Sequence, residues 1–534
     1  MKKWVGYKAA GRGGSGSVIR ATAEMTWRFL AGLLCVGAAL SAQYKPCLKR
    51  NYGASSIVCV CNATYCDTVR SIQASQVSGG NFMHYESSMA GLRLHPQEGK
   101  FSSAAANTVI VFTVQPSTTY QEMLGFGAAL TDSTAYNLYT LNEKTREMVL
   151  QTYFGDGGSD YLFLRVNMGA CDFSLSYYSY DDVAGDTALS HFSLPKIDVD
   201  YKIPIVKRAS QIRGQAIRLF AQPWSAPTWM KDSGTWYTGS LLEKYYQPWA
   251  NYFVKYFEAY KSHGVSYWGL TPQNEPSVSP EDYPTMKWTE QQQNTFVGNY
   301  LGPALHRAGF SGLKMMALDD NRWHLPAWAD AVLNDKTAGK YYSGVAVHWY
   351  TDDSAKPILL TDTHNRHPSD FLFYTEACNL VRVVEKDYGD WAIGEKYGKS
   401  MMEAFNNWVG GWTDWNMVVN LEGGPMTKNN KTTQFGYNAA IIVNSKTNEL
   451  YKQPPYYFQA HFSTFVPPGS RRIGMTSVHN GGLYNIAFHT PQNRYVVVLI
   501  NMAHSHASTV ITHAGKGHIN LVVSARSIHT VVYS

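Results

Sequence analysis

The sequence predicts a (β/α)8 TIM barrel with an attached all-β, immunoglobulin-like sandwich and a small disulfide-stapled N-terminal β-sheet. Three observations predict it. Between residues 122 and 416, apolar runs of strand length alternate with longer segments of helical period, the pattern of repeated β–α units. After residue 435 the texture turns to short strands separated by Gly, Pro and Asn turns. Four of the seven cysteines crowd into residues 47–66. A doubly wound open sheet is the competing reading of the middle region, but no Gly-x-Gly-x-x-Gly follows a strand there.

Residues 1–42 read as a targeting segment. The apolar run 29–40 follows Arg28 and ends in the small residues Ser41 and Ala42, as in a cleaved secretory signal. The run is short for a membrane span. Met25 is a second candidate start. In an oxidising compartment Cys47, Cys59, Cys61 and Cys66 form two disulfides, with three connectivities open. A zinc site competes, but Cys-x-Cys spacing without a nearby His argues against it. Cys171 and Cys378 remain as free thiols. Asn62 and Asn430 each begin an Asn-x-Thr glycosylation sequon.

Two strands are expected at 82–85 and 108–115. Eight barrel strands follow at 123–128, 161–166, 217–221, 267–271, 313–318, 344–349, 371–374 and 412–418. A helix at 142–154 begins on the capping residue Asn142, and one at 205–212 stops at Gly214. Helix 248–262 carries Trp249, Phe253, Tyr256, Phe257 and Tyr260 on one stripe. Further helices are expected at 289–307 and 396–409. The tail is β-rich at 494–501 and 521–534, and residues 71–118 supply strands to complete its sheet.

Composition excludes some functions. The chain has 534 residues, 45% hydrophobic and only 16% charged, which argues against long disordered tracts. Its formal charge is +6 with no Lys/Arg block, so a nucleic-acid arm is not indicated. Attraction to anionic membranes would grow in acid as the 17 histidines protonate.

The chemistry lies at strand ends. Tyr267-Trp-Gly-Leu-Thr-Pro-Gln-Asn-Glu-Pro-Ser277 carries Asn274 and Glu275 to the end of strand four. Pro276 is expected to hold Glu275 extended. Phe371-Leu-Phe-Tyr-Thr-Glu-Ala-Cys378 places Glu376 at the end of strand seven. In a barrel both carboxyls face the C-terminal mouth. Two facing carboxyls serve retaining glycoside hydrolysis, one as proton donor and one as nucleophile. Asp172 and Asn274 suit sugar hydroxyls, while Trp224 and Trp415 suit the apolar face of a sugar ring. Arg165, inside strand two, needs a carboxylate partner such as Glu376. His348 reads as a hydrogen-bonded support, and no His/Cys/Asp/Glu cluster has metal-ligand spacing.

These residues sit in longer motifs: Cys59-Val-Cys-Asn-Ala-Thr-Tyr-Cys66, Gly125-Phe-Gly127, Cys171-Asp-Phe173, Pro223-Trp-Ser-Ala-Pro-Thr-Trp229, Asn274-Glu-Pro-Ser277, Ala346-Val-His-Trp-Tyr350, Thr375-Glu-Ala-Cys378 and Gly411-Trp-Thr-Asp-Trp-Asn416. In this order they resemble glycoside hydrolase family 30 over nearly all of the chain after residue 42. The resemblance implies a small sheet of 43–70 with 417–448, a sandwich of 71–118 with 464–534, and a barrel of 119–416 with 449–463. It implies Glu275 as acid/base and Glu376 as nucleophile, and assigns glucose binding to Asp172, Trp224, Asn274 and Trp415. Tyr283 and Tyr350 stand at the mouth, and Asn430 matches a sugar-binding asparagine. The implied activity is hydrolysis of glucosylceramide without a cofactor, at an anionic phospholipid membrane surface in the lysosome, aided by a saposin-type activator. Two loops depart from the family: Thr285-Met-Lys-Trp288 lacks its phenylalanine and cysteine, and Met426-Thr-Lys-Asn-Asn-Lys431 lacks its tryptophan. The alternatives are another β-glycoside as substrate, or a catalytically silent lipid-binding protein on the same fold.

Overall fold

The computed structural model describes residues 43–69, 71–278, 280–429 and 431–534. The expected targeting segment at 1–42 and Asn430 lie outside the described residues. Eight parallel strands close in chain order: β1 (Gly125–Ala129), β2 (Phe163–Asn167), β3 (Arg218–Gln222), β4 (Tyr267–Leu270), β5 (Lys314–Asn321), β6 (Tyr342–His348), β7 (Phe371–Glu376) and β8 (Val409–Asp414).

Side-chain alternation layers the barrel interior. Phe163, Phe220, Met316, Ala346 and Phe373 pack together, fully buried. Two residues on, along the same strands, stand Arg165, Gln222, His348 and Thr375, also buried. Residues i and i+2 share a face of a strand, so a polar layer rests on an apolar one.

β5 breaks this rhythm. Its pairing with β6 shifts register between Leu318 and Asp320, and Leu318 and Asp319 are left-handed (φ +73° and +57°). The bulge turns Asp319 into the polar layer, a common use of bulges beside active sites. β8 starts earlier than the expected 412–418. Gly410 and Gly411 conceal its beginning from an apolar count. Gly411 leaves no room for a side chain, because a Cβ would come within 2.3 Å of the Phe373 ring.

Helix Glu143–Phe154 is capped by the Asn142 side chain, which accepts from the Thr145 N–H. Helix Ile203–Arg213 stops at left-handed Gly214. Helix Tyr246–Ser262 buries its aromatic stripe. The helix expected at 289–307 has a π turn at Val297–Leu301 between two α segments, since Pro303 offers no N–H to an α turn. Helix Trp391–Asn406 starts before the expected residue 396, with Asp390 as its cap.

Lys49–Arg50, Val58–Asn62, Glu449–Lys452 and Ile441–Asn444 form a four-stranded antiparallel sheet. Glu449–Lys452, expected within the barrel, joins this sheet because it is the second arm of a hairpin with Ile441–Asn444. Disulfides Cys47–Cys59 and Cys61–Cys66 staple the region, leaving no thiolate there for zinc. Cys171 and Cys378 are free and buried.

Nine strands from Asn81–Ser88, His95–Lys100, Val111–Glu122 and the C-terminal tail form the sandwich sheet. Side chains from across it, including Phe82, Phe112, Ile473, Leu499, Ile519 and Val531, meet in one core. Buried helix Pro454–Ser463 ties the sandwich to the barrel: His461 bonds Ser87 and Thr530. No helix among the described residues is long and apolar enough to cross a membrane.

Candidate active site

Glu376 is the last residue of β7. Glu275 lies beyond the end of β4, in a loop, with a φ of +44°. This corrects the expectation that Pro276 holds it extended. A following proline disfavours the right-handed α region, and here the chain turns through the left-handed one instead. The Glu275 N–H donates to the Asp319 carbonyl at 2.9 Å, which pins the turn. Such a conformation costs a non-glycine residue on the order of 1–3 kcal/mol, and residues strained this way cluster at functional sites.

The turn brings the two carboxyls together. One oxygen of Glu275, one of Glu376 and a ring nitrogen of His348 lie within 4.8 Å of one another. Arg165 Nη1 donates to Glu376, and its Nη2 donates to Asp319 Oδ2 at 3.0 Å and to Asn274 Oδ1 at 2.7 Å. Tyr350 Oη donates to Glu376 Oε1 at 2.5 Å. Tyr283 Oη donates to Glu275 Oε2 at 3.3 Å. His348 stands between Glu275 Oε1 and Asp319 Oδ1, 3.1 Å from each.

These contacts set the charges. Burial pushes the His348 imidazole down, but Glu376, Asp319 and Glu275 outweigh it and raise it to about 10. It is therefore an imidazolium donating from both nitrogens. Burial also pushes Asp319 up, and Arg165 foremost overcomes this to hold it well below the carboxylate range. Burial raises Glu275, with the His348 hydrogen bond opposing. Asp172 reaches about 8, through burial and then the nearby Glu376 and Glu275 charges. The Glu275–His348–Glu376 cluster does not suit a metal. Its imidazole has no lone pair to offer, and a guanidinium already lies against Glu376.

Glu275, Glu376 and Tyr350 line a cavity of about 260 Å³, with Arg165, His348 and Asp319 buried behind them. Trp224 and Trp415 stack with centroids 5.3 Å apart, under the Arg165 guanidinium. Asp172 and Asn274 line the cavity as well, and Val278, Tyr283, Asn321, Leu380, Lys428 and Tyr437 complete its lining. Met286 and Trp288 are buried, and Trp288 packs on Tyr246 and Phe296. Tyr283, just ahead of the divergent loop, reaches the cavity, while Met286 and Trp288 within the loop turn inward and Lys287 turns outward. Asp319 and Asn321 were missed in the sequence. The polar run Asp319-Asp-Asn321 at the end of strand five was their signal.

The family model for the glycosyl hydrolase family 30 TIM-barrel domain matches residues 123–466. That for the glycosyl hydrolase family 30 beta sandwich domain matches residues 469–531. The chain belongs to glycosyl hydrolase family 30. The family 30 chain is 37% identical over 500 residues to mouse lysosomal acid glucosylceramidase, covering 92% of this chain and 96% of the mouse chain. It is 40% identical over 482 residues to Caenorhabditis elegans putative glucosylceramidase 4, covering 87% and 90%. The crystal structure of SrfJ from Salmonella typhimurium superposes with a TM-score of 0.78 at 25% identity, covering 85% of this chain and 99% of that one. In this family 30 glycoside hydrolase one oxygen of Glu275 lies within 4.8 Å of one of Glu376, on the short side of the two spacings that glycosidases use. Retaining glycosidases hold their carboxyls roughly 5–5.5 Å apart, and inverting ones roughly 6.5–9.5 Å apart to admit a water.

Proposed function

We propose that this enzyme hydrolyses glucosylceramide to glucose and ceramide with retention at the anomeric carbon. The observation that carries the proposal is the approach of the Glu275 and Glu376 oxygens to within 4.8 Å, in unlike surroundings. Glu275, its carboxyl raised by burial, gives its proton to the glycosidic oxygen as the bond from the anomeric carbon breaks. Glu376 attacks that carbon and forms a glucosyl ester, and ceramide leaves with the proton. Glu275, now a carboxylate, takes a proton from water. The water oxygen bonds to the anomeric carbon, and the Glu376 carboxylate is released. Arg165 and Tyr350 donate to Glu376 throughout and steady its negative charge. Asp172, Trp224, Asn274 and Trp415 hold the glucosyl unit. No cofactor enters.

The lipid end of the substrate lies toward Leu380 and its neighbours. Leu380, Val381 and Phe435 are about half exposed, and the Arg382 guanidinium lies 3.9 Å over the Phe435 ring. An apolar edge with a cation suits an anionic phospholipid surface and a saposin-type activator. The setting is the lysosomal lumen, reached through the secretory pathway, with an N-linked glycan on Asn62. A second reading keeps the chemistry and changes the substrate to another β-glycoside. The inward-turned Met286 and Trp288 favour it, because that loop adds little apolar surface for a lipid.

The test is glucose release from glucosylceramide and from a soluble aryl β-glucoside, at pH 5 with anionic lipid vesicles, by the wild type and Glu376→Gln. Release from both substrates, abolished by the substitution, is the expected result. Release from the aryl glucoside alone selects the second reading. A folded wild type inactive on both overturns the glucosidase.

A further inference from the structure

The chain between β2 and helix Ile203–Arg213 makes a long loop on the catalytic face of the barrel, and within it three side chains converge. Asp181, Asp186 and His191 each present an oxygen or nitrogen within 4.8 Å of the others. The spacing, five residues from Asp181 to Asp186 and five more to His191, matches no common metal motif, so the cluster was not legible in the sequence.

The groups differ in how well they are satisfied. Asp186 accepts from the His191 N–H at 2.9 Å, from Ser190 Oγ at 2.9 Å, and lies 2.7 Å from His191 Nδ1. Asp181 is only 2% exposed. Its Oδ1 accepts from the Val183 N–H at 3.2 Å. Its Oδ2 is buried with no hydrogen-bond partner among the described residues. A buried carboxylate oxygen without a donor is costly. Both Asp186 oxygens accept hydrogen bonds and Asp181 Oδ2 does not, so a cation can take the place that a donor leaves open.

We propose that Asp181, Asp186 and His191 form a binding site for a divalent cation of the zinc class. Two carboxylate oxygens and one imidazole nitrogen make a three-ligand set that a water completes to a tetrahedron. The imidazole favours zinc over calcium or magnesium, which prefer all-oxygen shells. The cation ties Asp181 to His191 and so closes the middle of the loop on itself. The same loop carries Asp172 and also Tyr177, whose hydroxyl donates to the Asp282 and Thr427 carbonyls, each at 2.9 Å. Trp229 Nε1 donates to the Asp181 carbonyl at 3.0 Å. The site therefore braces the loop layer around the cavity without touching the reacting carboxyls.

The test titrates metal-stripped full-length protein with Zn2+ at pH 7 by calorimetry, and follows its melting temperature. The wild type is compared with His191→Ala and Asp181→Asn. The His191 side chain is 61% exposed, so its removal does not threaten folding. The expected result is stoichiometric binding that raises the melting temperature, with affinity weaker by about tenfold or more in each variant. Variants that bind Zn2+ as the wild type does overturn the site. So does a wild type without stoichiometric binding.

Discussion

His348 Nδ1 donates to Glu275 Oε1 across 3.1 Å, so a buried imidazolium faces the carboxyl proposed as the acid. That charge opposes the burial that raises Glu275. Replacing it with a neutral amide removes the opposition. The alkaline limb of kcat/KM, where Glu275 loses its proton, should therefore move to higher pH in His348→Gln, by about one unit. A fall in kcat on the order of tenfold or more should accompany it. A pH–rate profile checks this, and a limb that moves downward refutes the coupling.

Arg165 carries the second prediction. Its guanidinium bridges Glu376 and Asp319, and both it and Asp319 are fully buried. Removing one partner of such a pair leaves charge uncompensated in the interior. Arg165→Met should lose about 3–5 kcal/mol of stability. Arg165→Lys keeps the charge but cannot bridge both carboxylates and Asn274, so it should fold better than Arg165→Met and remain a poor catalyst. Urea denaturation with parallel kcat measurement tests both. An unchanged denaturation midpoint in Arg165→Met would rule out a buried-charge role.

Arg165, His348, Glu275 and Glu376 were legible because polar residues stood within or at the ends of apolar runs. The ends of strands four and seven then put the two carboxyls at the barrel mouth. Asp319 was not legible, because its inward position depends on a bulge that alternation cannot show. The left-handed turn at Glu275 was hidden for a similar reason. The proline rule excludes one conformation and does not choose among the rest; the Asp319 carbonyl does that. Glu449–Lys452 was assigned to the barrel domain in the sequence, whereas its hairpin with Ile441–Asn444 carries it to Val58–Asn62 in the N-terminal sheet. The start of β8 was hidden by two glycines that the barrel needs for close approach.

Asp172 yields a prediction about protonation. Burial and the charges of Glu376 and Glu275 raise it to about 8, so at pH 5 it is a neutral acid. A neutral acid can both donate to and accept from a sugar hydroxyl, and an amide can do the same. Asp172→Asn should keep more activity at pH 5 than Asp172→Ala. The alanine variant should lose roughly 1–3 kcal/mol of binding, about 5- to 160-fold in kcat/KM. Equal damage from both substitutions would mean that the ionised form does the binding.

The last prediction concerns the scaffold in acid. His84 Nε2 lies 2.7 Å from His529 Nδ1 inside the sandwich, and His461 bridges Ser87 and Thr530 beside them. Burial foremost pushes all three imidazoles down, His84 to about 4. In the unfolded chain each titrates near 6.5. Between pH 6.5 and 4 the unfolded state therefore binds protons that the folded state refuses, and stability falls as pH falls. One pKa unit is about 1.4 kcal/mol, so His84 alone should account for roughly 3 kcal/mol lost across that window. His84→Gln removes its share of the titration. Its stability, read from urea midpoints at pH 7, 5.5 and 4, should decline less steeply than that of the wild type, whatever the substitution costs at pH 7. An equal slope in both proteins would place the acid sensitivity elsewhere. The carboxyls proposed for catalysis favour acid while these histidines lose stability in it, so the pH of greatest activity should lie below the pH of greatest stability.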